Sequence, residues 1–155
     1  MKTIIKSVSV LFFSVTLFVS CEKSIAPNNV IGDIFDRMYP HVSHIEWEME
    51  RGFYVAEFRE NGYEKEVWFT KKNEWVLTKT EYERNVPTVV RQGLNGTDYA
   101  NWRIDDVDYI EMPVRNPFYI AEVERGEVEV DLYLSHTGEL IKEVADDGDY
   151  HRELL

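Results

Sequence analysis

The run Phe53-Tyr54-Val55-Ala56-Glu57 returns 65 residues later as Phe118-Tyr119-Ile120-Ala121-Glu122. A second run, Glu66-Val67-Trp68-Phe69-Thr70, returns at the same offset as Asp131-Leu132-Tyr133-Leu134-Ser135. Because two separate segments keep one offset, an internal duplication is the simplest explanation of the match. The sequence therefore predicts two tandem repeats of one small fold.

Strands follow from the alternation of apolar and acidic residues within each repeat. Residues 45–50 read Ile-Glu-Trp-Glu-Met-Glu, which is the period of a strand with one solvated face. Residues typical of turns separate the strand-like runs. The predicted turns are Arg51-Gly52, Asn61-Gly62 and Lys72-Asn73 in the first repeat, and Arg115-Asn116-Pro117, Arg125-Gly126 and Thr137-Gly138 in the second.

Each repeat begins with a helical pattern. Apolar residues at helical spacing follow Val30, and Pro40 ends that run. In the second repeat, Pro87 stands near a helix start and Asn95-Gly96 predicts a left-handed helix ending. One helix followed by about four antiparallel strands, twice over, makes the fold class α+β with the helices on one face of the sheet.

Strand alternation also separates two faces of the sheet. The face assigned to the helices and the core carries Tyr54, Ala56, Phe58, Val67, Phe69, Tyr119, Ala121, Val123, Leu132 and Leu134. On the opposite face, large apolar residues stand among acids, a composition typical of interaction surfaces. The residues predicted to bind a partner are Phe53, Val55, Trp68, Phe118, Ile120 and Tyr133. The alternative is that Trp68 and Tyr133 cover the junction of the repeats or form a second small core.

The N-terminus resembles a bacterial lipoprotein signal. A short basic start, Met1 to Lys6, precedes an apolar run that is too short to span a bilayer comfortably, and Phe18-Val19-Ser20-Cys21 resembles a lipobox. The resemblance implies cleavage before Cys21 and acylation of this residue. Since Cys21 is the only cysteine, a disulfide within the chain is excluded, while a free buried thiol stays open.

Removal of such a leader leaves a strongly acidic chain. With Lys2 and Lys6 gone, 15 basic side chains face 29 acidic ones, a net charge of −14 with neutral histidines. That charge disfavours nucleic acid and anionic lipid headgroups as partners. The predicted division is a signal peptide at 1–20, a tether at 21–29, repeats at 30–83 and 84–145, and a tail at 146–155.

These segments together resemble the PepSY-like, beta-lactamase-inhibitor-like lipoproteins of Bacteroidetes. The first repeat carries the resemblance in Ile45-Glu46-Trp47, residues 53–58 and Asn73-Glu74-Trp75-Val76-Leu77, and the second in Val86-Pro87 and residues 135–140. The resemblance spans about residues 30–145. It implies two repeats side by side, whose sheets join or stack into a curved surface with a concave side for a protein or peptide. About five extra residues are expected between Tyr99 and Ile110.

Motifs for catalysis, cofactors and metals are not convincing in this sequence. Only Ser24, Ser43 and Ser135 remain as serines after residue 20, without a nucleophile elbow. His41 and His44 have no neighbouring Cys or His cluster, and the acidic runs lack EF-hand spacing. We therefore predict no enzyme, no catalytic residues, no cofactor and no metal site.

The sequence thus predicts a lipid-anchored protein of the bacterial cell envelope that binds a protein or peptide on its open sheet face. The outer membrane is the expected location, with periplasmic and surface orientations both open. Two alternatives remain: a binder of a small apolar ligand between the repeats, and a purely structural envelope protein.

Overall fold

A computed structural model describes residues 25–82, 85–145 and 154–155 of the chain. The predicted signal peptide, Cys21 and most of the predicted tail lie outside these residues. The elements in chain order are α1 (Asn29–Met38), β1 (Ile45–Glu50), β2 (Phe53–Glu60), β3 (Tyr63–Phe69), β4 (Trp75–Glu81), α2 (Thr88–Leu94), β5 (Arg103–Met112), β6 (Arg115–Arg125), β7 (Val128–Ser135) and β8 (Leu140–Ala145).

The eight strands form one antiparallel sheet in which the spatial order is the chain order. Each strand pairs with the strand before it, so the sheet is a continuous meander. The β4 and β5 strands join the two halves, with register from Thr78 opposite Glu111 to Glu81 opposite Asp108. The predicted α+β class is confirmed, and the sheets of the two halves are joined rather than stacked. The origin of the halves in a duplication stays a prediction.

The first helix packs its apolar stripe on β2 and β3. The Asn28 side chain caps α1 by accepting hydrogen bonds from the backbone N–H groups of Val30 and Ile31. Ile31 and Phe35 are buried against Ala56, Phe58, Val67 and Phe69 of the sheet. The helix ends at Met38, before Pro40, as the sequence predicts.

The second helix packs in the same way on β5, β6 and β7. Val90 and Leu94 are buried against Val107, Ala121, Val123, Leu132 and Leu134. The predicted left-handed ending is wrong, since Asn95 has right-handed dihedral angles. The Leu94 carbonyl instead accepts hydrogen bonds from both the backbone N–H and the hydroxyl of Thr97. The helix end is therefore satisfied without a left-handed residue.

Most predicted turns are confirmed by their backbone angles. Asn61 and Gly62 both have positive φ, as a two-residue hairpin requires, and Asn73 and Gly138 have φ values of 68° and 88° in their turns. The prediction for Arg115-Asn116-Pro117 is wrong because these residues belong to β6. Pro117 lies where the pairing of β5 and β6 shifts, so its missing N–H breaks no regular ladder bond.

The extra residues of the second half also lie elsewhere than predicted. In the first half only residues 51–52 separate the paired Glu50 and Phe53. In the second half residues 111–117 separate the paired Ile110 and Phe118. The five additional residues therefore lengthen the β5–β6 hairpin, instead of standing between Tyr99 and Ile110. The lengthened tip includes Val114, which is 94% exposed.

Candidate interaction surface

The sheet side opposite α1 and α2, here called the open face, carries the residues predicted to bind a partner. Val55 pairs with Trp68 across β2 and β3, and Ile120 pairs with Tyr133 across β6 and β7. Both pairs are on the open face, since their sequence neighbours Ala56, Val67, Ala121 and Leu132 pack under the helices. The alternation argument therefore assigns these side chains to the correct side of the sheet.

Five of the six residues are nevertheless buried on that side. Val55 and Trp68 are 0% exposed, and Ile120, Tyr133 and Phe118 are 3%, 5% and 8% exposed. Phe53 is half-buried and packs against them. They belong to a second small core, the alternative that the sequence left open. Their role in binding a partner stays a prediction, since burial alone does not test it.

Two residues that sequence analysis missed, Leu77 and Ile110, complete this core. They connect the Val55 and Trp68 side of the sheet with the Ile120 and Tyr133 side across the junction of β4 and β5. The seven buried residues, here called the apolar cluster, are Val55, Trp68, Leu77, Ile110, Phe118, Ile120 and Tyr133. Leu154 packs against the cluster from the end of the chain. Leu77 pairs with Trp68 across β3 and β4. Knowledge of this strand register would have placed Leu77 beside Trp68 in the cluster.

Aromatic and polar contacts hold the large side chains of the cluster in place. The Trp68 Nε1–H donates to Glu66 Oε2 at 2.9 Å, so the buried indole keeps a hydrogen bond. Phe118 and Tyr133 are stacked with ring centroids 6.0 Å apart. The Lys142 ammonium lies 4.1 Å from the centroid of the Tyr133 ring, within the range of a cation–π contact.

Beside the apolar cluster, a row of carboxylates crosses the open face from β1 to β7. Glu57 stands opposite both Glu46 and Glu66, and Glu122 stands opposite both Asp106 and Asp131. A further like-charged pair, Glu81 and Asp108, joins β4 to β5. Together these residues form what we call the acidic belt: Glu46, Glu57, Glu66, Glu81, Asp106, Asp108, Glu122 and Asp131.

Lys79 places a cation within the belt. The Lys79 ammonium is 2.5 Å from Glu66 Oε1, and its side chain is only 12% exposed. Burial by itself lowers the pKa of Lys79, but the negative charges of Asp108 and Glu66 outweigh burial and raise that pKa above its ordinary value. The belt therefore stabilises a bound ammonium group in its charged form.

Two hollows open on the surface near these residues. The first, of about 500 Å³, lies between the loop after α1 and the belt, and its lining includes His41, His44, Glu46, Glu57 and Lys79. The second, of about 490 Å³, lies beside the apolar cluster in the second half. Its lining residues are Arg115, Asn116, Pro117, Phe118, Tyr133, Ser135, His136, Thr137, Glu139, Ile141, Lys142 and Leu154.

Neither hollow has the features of a metal site. Among residues 25–82, 85–145 and 154–155, no three His, Cys, Asp or Glu side chains are grouped closely enough to hold a metal ion. The same part of the chain contains no helix with the length and apolar character needed to cross a membrane. The open face thus combines a buried aromatic and aliphatic cluster with a carboxylate row.

Comparison with known families agrees with this architecture. Residues 52–142 match the family described as "Putative beta-lactamase-inhibitor-like, PepSY-like". The chain belongs to this PepSY-like, beta-lactamase-inhibitor-like family. The predicted resemblance is confirmed at that level. Among curated proteins, none matches the sequence.

Solved structures give the same result for the fold. A BLIP-like protein from Bacteroides fragilis NCTC 9343 is 35% identical, with 81% of this chain and 93% of that chain covered and a TM-score of 0.73. A DUF2874 family protein from Bacteroides ovatus ATCC 8483 is 27% identical, covering 81% of this chain and 94% of that chain, with a TM-score of 0.74. Both proteins share the α+β fold described here.

Proposed function

We propose that this protein is a non-enzymatic, lipid-anchored protein of the bacterial envelope that binds a protein or peptide on its open face. The observation that carries the proposal is the placement of both helices on one side of the sheet. On the other side, a carboxylate row lies next to the buried apolar cluster, whose margin carries the half-buried Phe53, Met112 and Val144. Such a mixture of aromatic and polar groups is typical of recognition surfaces. Membership of a beta-lactamase-inhibitor-like family favours binding over catalysis.

The proposed architecture is a tandem repeat, in which each copy supplies one helix and four strands. Two equivalent strand pairings support it: Val55 pairs with Trp68, and Ile120 pairs with Tyr133. Each residue of the second pair follows its counterpart in the first pair by 65 residues. The proposed copies are residues 30–83 and 84–145. In this scheme the apolar cluster is shared by the two copies, so the binding surface needs both.

The proposed anchor is the acylated Cys21. Its support is the lipobox resemblance at residues 18–21, and two or three acyl chains suffice for stable membrane attachment. Labelled palmitate fed to expressing cells should be incorporated into the protein and lost in a Cys21→Ala variant. The variant should also leave the membrane fraction. A protein that stays membrane-bound and unlabelled would contradict the anchor while leaving the binding proposal intact.

The experiment that tests partner binding must alter charge rather than the aromatic residues. Because Trp68 and Tyr133 are buried, alanine at these positions would disturb the fold and could not isolate a contact. Glu57 is exposed and Glu122 is half-exposed on the open face. Lysine at both positions reverses the charge of the proposed surface without removing cluster side chains.

The matched control reverses two exposed acids on α1, Asp33 and Asp36, which lie on the other side of the molecule. The full lipidated chain, solubilised in a non-ionic detergent, is immobilised and exposed to the envelope fraction of the host. We expect a protein retained by the parent and by the Asp33→Lys, Asp36→Lys variant, and lost with Glu57→Lys, Glu122→Lys. Equal retention by all three proteins, or an empty eluate, would refute binding on the open face.

A small apolar ligand is a second candidate, favoured by the hollow of about 490 Å³ beside Phe118 and Tyr133. This hollow is lined by residues of the second half and by Leu154, so the candidate site differs from the cleft between repeats that the sequence suggested. Native mass spectrometry of the purified protein would reveal a bound small molecule as an added mass. With neither a ligand nor a partner, a purely structural role would be the remaining alternative.

A further inference from the structure

We infer that the hollow beside Phe118 and Tyr133 binds a small organic carboxylate, with its charged group near Arg115 and its apolar body against the apolar lining. This inference deepens the second candidate function, because it names the chemical class of the ligand for that hollow. It does not depend on protein binding at the open face. Its basis is the charge of the lining, the strand register that places Arg115, and the exposure of the apolar lining residues.

The two hollows of the surface have nearly equal volumes, about 500 Å³ and about 490 Å³, but opposite charge. The first is lined by five glutamates, one arginine and two lysines, a formal charge of −2 with neutral histidines. The second is lined by Arg115 and Lys142 against Glu139, a formal charge of +1 with His136 neutral. The chain after residue 20 carries a net charge of −14. The second hollow therefore has the opposite sign to the chain as a whole.

The cations of the two hollows also differ in their partners. In the first hollow all three cations form ion pairs with glutamates: Arg59 with Glu64, Lys65 with Glu60, and Lys79 with Glu66. In the second hollow, Lys142 already lies over the Tyr133 ring. Arg115 is exposed, and its guanidinium forms no ion pair with any residue that the structure describes. Because a guanidinium presents paired N–H donors that match two carboxylate oxygens, Arg115 is suited to hold the anion.

Strand register brings Arg115 close to the β7–β8 turn. Phe118 of β6 is opposite Ser135, the last residue of β7. Since β6 already begins at Arg115, its first three residues extend past the end of β7. This extension runs beside the turn that follows Ser135 and contains His136. The hollow therefore lies between a strand start and a turn whose backbone N–H groups bond back to Ser135.

The apolar part of this lining is accessible to solvent, unlike most of the apolar cluster. Ile141 is 61% exposed, and Pro117 and Leu154 are half-buried. Phe118 and Tyr133 are largely buried and supply only a small area. Pockets for small molecules commonly have volumes of about 300–1,000 Å³, with apolar walls and few polar groups. A ligand that covers Ile141 would remove exposed hydrocarbon from water.

The charges nearest to the hollow decide which ligand it favours. Charges more than about 10 Å away are largely screened at 0.1 M ionic strength. A carboxylate near Arg115 gains a charged hydrogen bond, whereas a neutral group gains a weaker one. An ammonium group would be repelled by Arg115 and Lys142. We therefore expect ligands with one apolar body to bind in the order anion, neutral, cation.

The test compares three water-soluble probes that share a phenyl ring: phenylacetate, phenylethanol and phenylethylammonium. Each is titrated into the full lipidated chain in a non-ionic detergent at about 0.1 M salt, where distant charges are screened. Broadening of the proton NMR signals of the probe reports binding, and blank titrations into detergent alone correct for partitioning into micelles. We expect phenylacetate to bind about fivefold more tightly than phenylethanol, because its bond to Arg115 is charge-assisted. Phenylethylammonium should bind most weakly.

Charge reversal at Arg115 locates the site. Arg115→Glu should reverse the order, so that phenylethylammonium binds more tightly than phenylacetate. The matched Arg91→Glu change lies at an exposed position of α2 on the other side of the sheet. It alters the net charge equally and should leave all three affinities within about twofold. Ile141→Ala should weaken all three probes by a similar factor of about three, since it shortens the apolar lining. Melting curves check that the variants fold.

Failure of this inference is distinct from failure of the proposed functions. Equal binding of the three probes, or a preference for phenylacetate that Arg115→Glu leaves unchanged, would overturn the carboxylate site. Equal binding that Ile141→Ala weakens would still support an apolar ligand in the hollow. If none of the probes binds at up to about 10 mM, the site is refuted, because ligands of this size commonly bind at millimolar concentration. Capture of an envelope protein on the open face is decided separately, by the lysine variants described above.

Discussion

In each half of the molecule, the helix region contacts the turn that precedes the last strand, and the two contacts differ in kind. In the first half, the Asn28 side chain before α1 donates to the side chain of Asn73 in the β3–β4 turn at 2.8 Å, on an exposed surface. In the second half, α2 meets the β7–β8 turn by backbone contact. A Cβ placed on Gly93 would be 2.0 Å from the Gly138 carbonyl oxygen, so no side chain fits there.

This difference shows that equal backbone shape does not imply equal tolerance of substitution. Asn73 and Gly138 both have positive φ in equivalent turns. At Asn73 the side chain forms the link to the helix end. At Gly138 a Cβ would be 2.5 Å from the Val89 carbonyl oxygen. The first half thus uses a replaceable polar link, while the second uses a close approach that only glycine permits.

The largest effect should come from removing a side chain of the core that the halves share. Trp68→Ala should lower the free energy of unfolding by about 4 kcal/mol, since a fully buried tryptophan is lost. Because the apolar cluster spans both halves, urea unfolding followed by circular dichroism should remain one cooperative transition. Two separate transitions would show that the halves fold independently. Val114→Ala, at a 94% exposed site, is the control without effect.

The helix contact itself is tested by one substitution in each helix. Gly93→Ala should destabilise the protein by about 3 kcal/mol, because the new methyl group collides with the Gly138 backbone. The matched Gly32→Ala change in α1 meets no atom within 4 Å. It should stabilise the protein by about 0.5 kcal/mol through helix propensity. Similar changes in stability from the two substitutions would contradict the close backbone approach of α2 to the β7–β8 turn.

Lys79 links the two halves electrostatically. Its ammonium forms an ion pair with Glu66 in the first half and is attracted by the charge of Asp108 in the second. Lys79→Gln should cost about 2 kcal/mol at neutral pH through loss of a charged hydrogen bond. The raised pKa of Lys79 means that the folded state holds its proton more tightly than the unfolded state. The stabilisation is therefore complete below the unfolded pKa of about 10.4 and is lost as pH rises through the higher folded pKa.

Melting temperatures measured from about pH 9 to about pH 12 would check this dependence. The parent should lose stability across that range, partly through Lys79. The glutamine variant should lose less, because it has no such proton to release. Part of the remaining loss comes from Tyr39, Tyr82, Tyr109 and Tyr119, whose pKa values burial raises. The hydrogen bond to Glu143 also raises the pKa of Tyr99. Parallel curves for the two proteins would contradict the role of Lys79.

A smaller effect is expected from the polar link of the first half. Asn28→Ala removes the cap of α1 and the hydrogen bond to Asn73 together. The expected loss is about 1 kcal/mol, the usual value for a capping residue. Urea midpoints at constant slope would measure it. A loss as large as that of Gly93→Ala would mean that the exposed link matters as much as the backbone contact.

The smallest effect should be a gain. Glu57→Gln removes like-charge repulsion with Glu46 and Glu66, and should raise stability by about 0.5 kcal/mol at low salt. The gain should shrink as salt is added. Destabilisation by this change would show that the Glu57 carboxylate forms a contact that stabilises the fold.

Local pattern predicted most of the fold because most of its interactions are local. Asn61-Gly62 is a recognisable hairpin turn, and alternation around Trp68 assigns the two faces of a strand correctly. The sequence does not predict the lengthened β5–β6 hairpin. Arg115-Asn116-Pro117 has the composition of a turn, and yet these residues form part of a strand. The choice between turn and strand there depends on pairing with β5, which sequence spacing does not contain.

The surface was harder to predict than the fold. The alternation of apolar and polar residues separates the two faces of a strand. Whether a face is exposed to solvent depends on what packs beside it. Leu77 and Ile110 belong to one cluster only because β4 pairs with β5, and the same cluster contains the buried Trp68 and Tyr133. The acidic belt is visible in the sequence only as scattered glutamates and aspartates. Register alone reveals that Glu57 and Glu122 each face two acids.

The meander order of the sheet has a kinetic consequence. Every strand pairs with its neighbour along the chain, from β1 to β8, and only the β4–β5 pairing spans a helix. Proteins dominated by such local contacts have low contact order and fold quickly for their size. Hairpins form within microseconds, and each new strand can add to the edge left by the previous one. A chain of this design can therefore assemble its sheet progressively as successive segments become available.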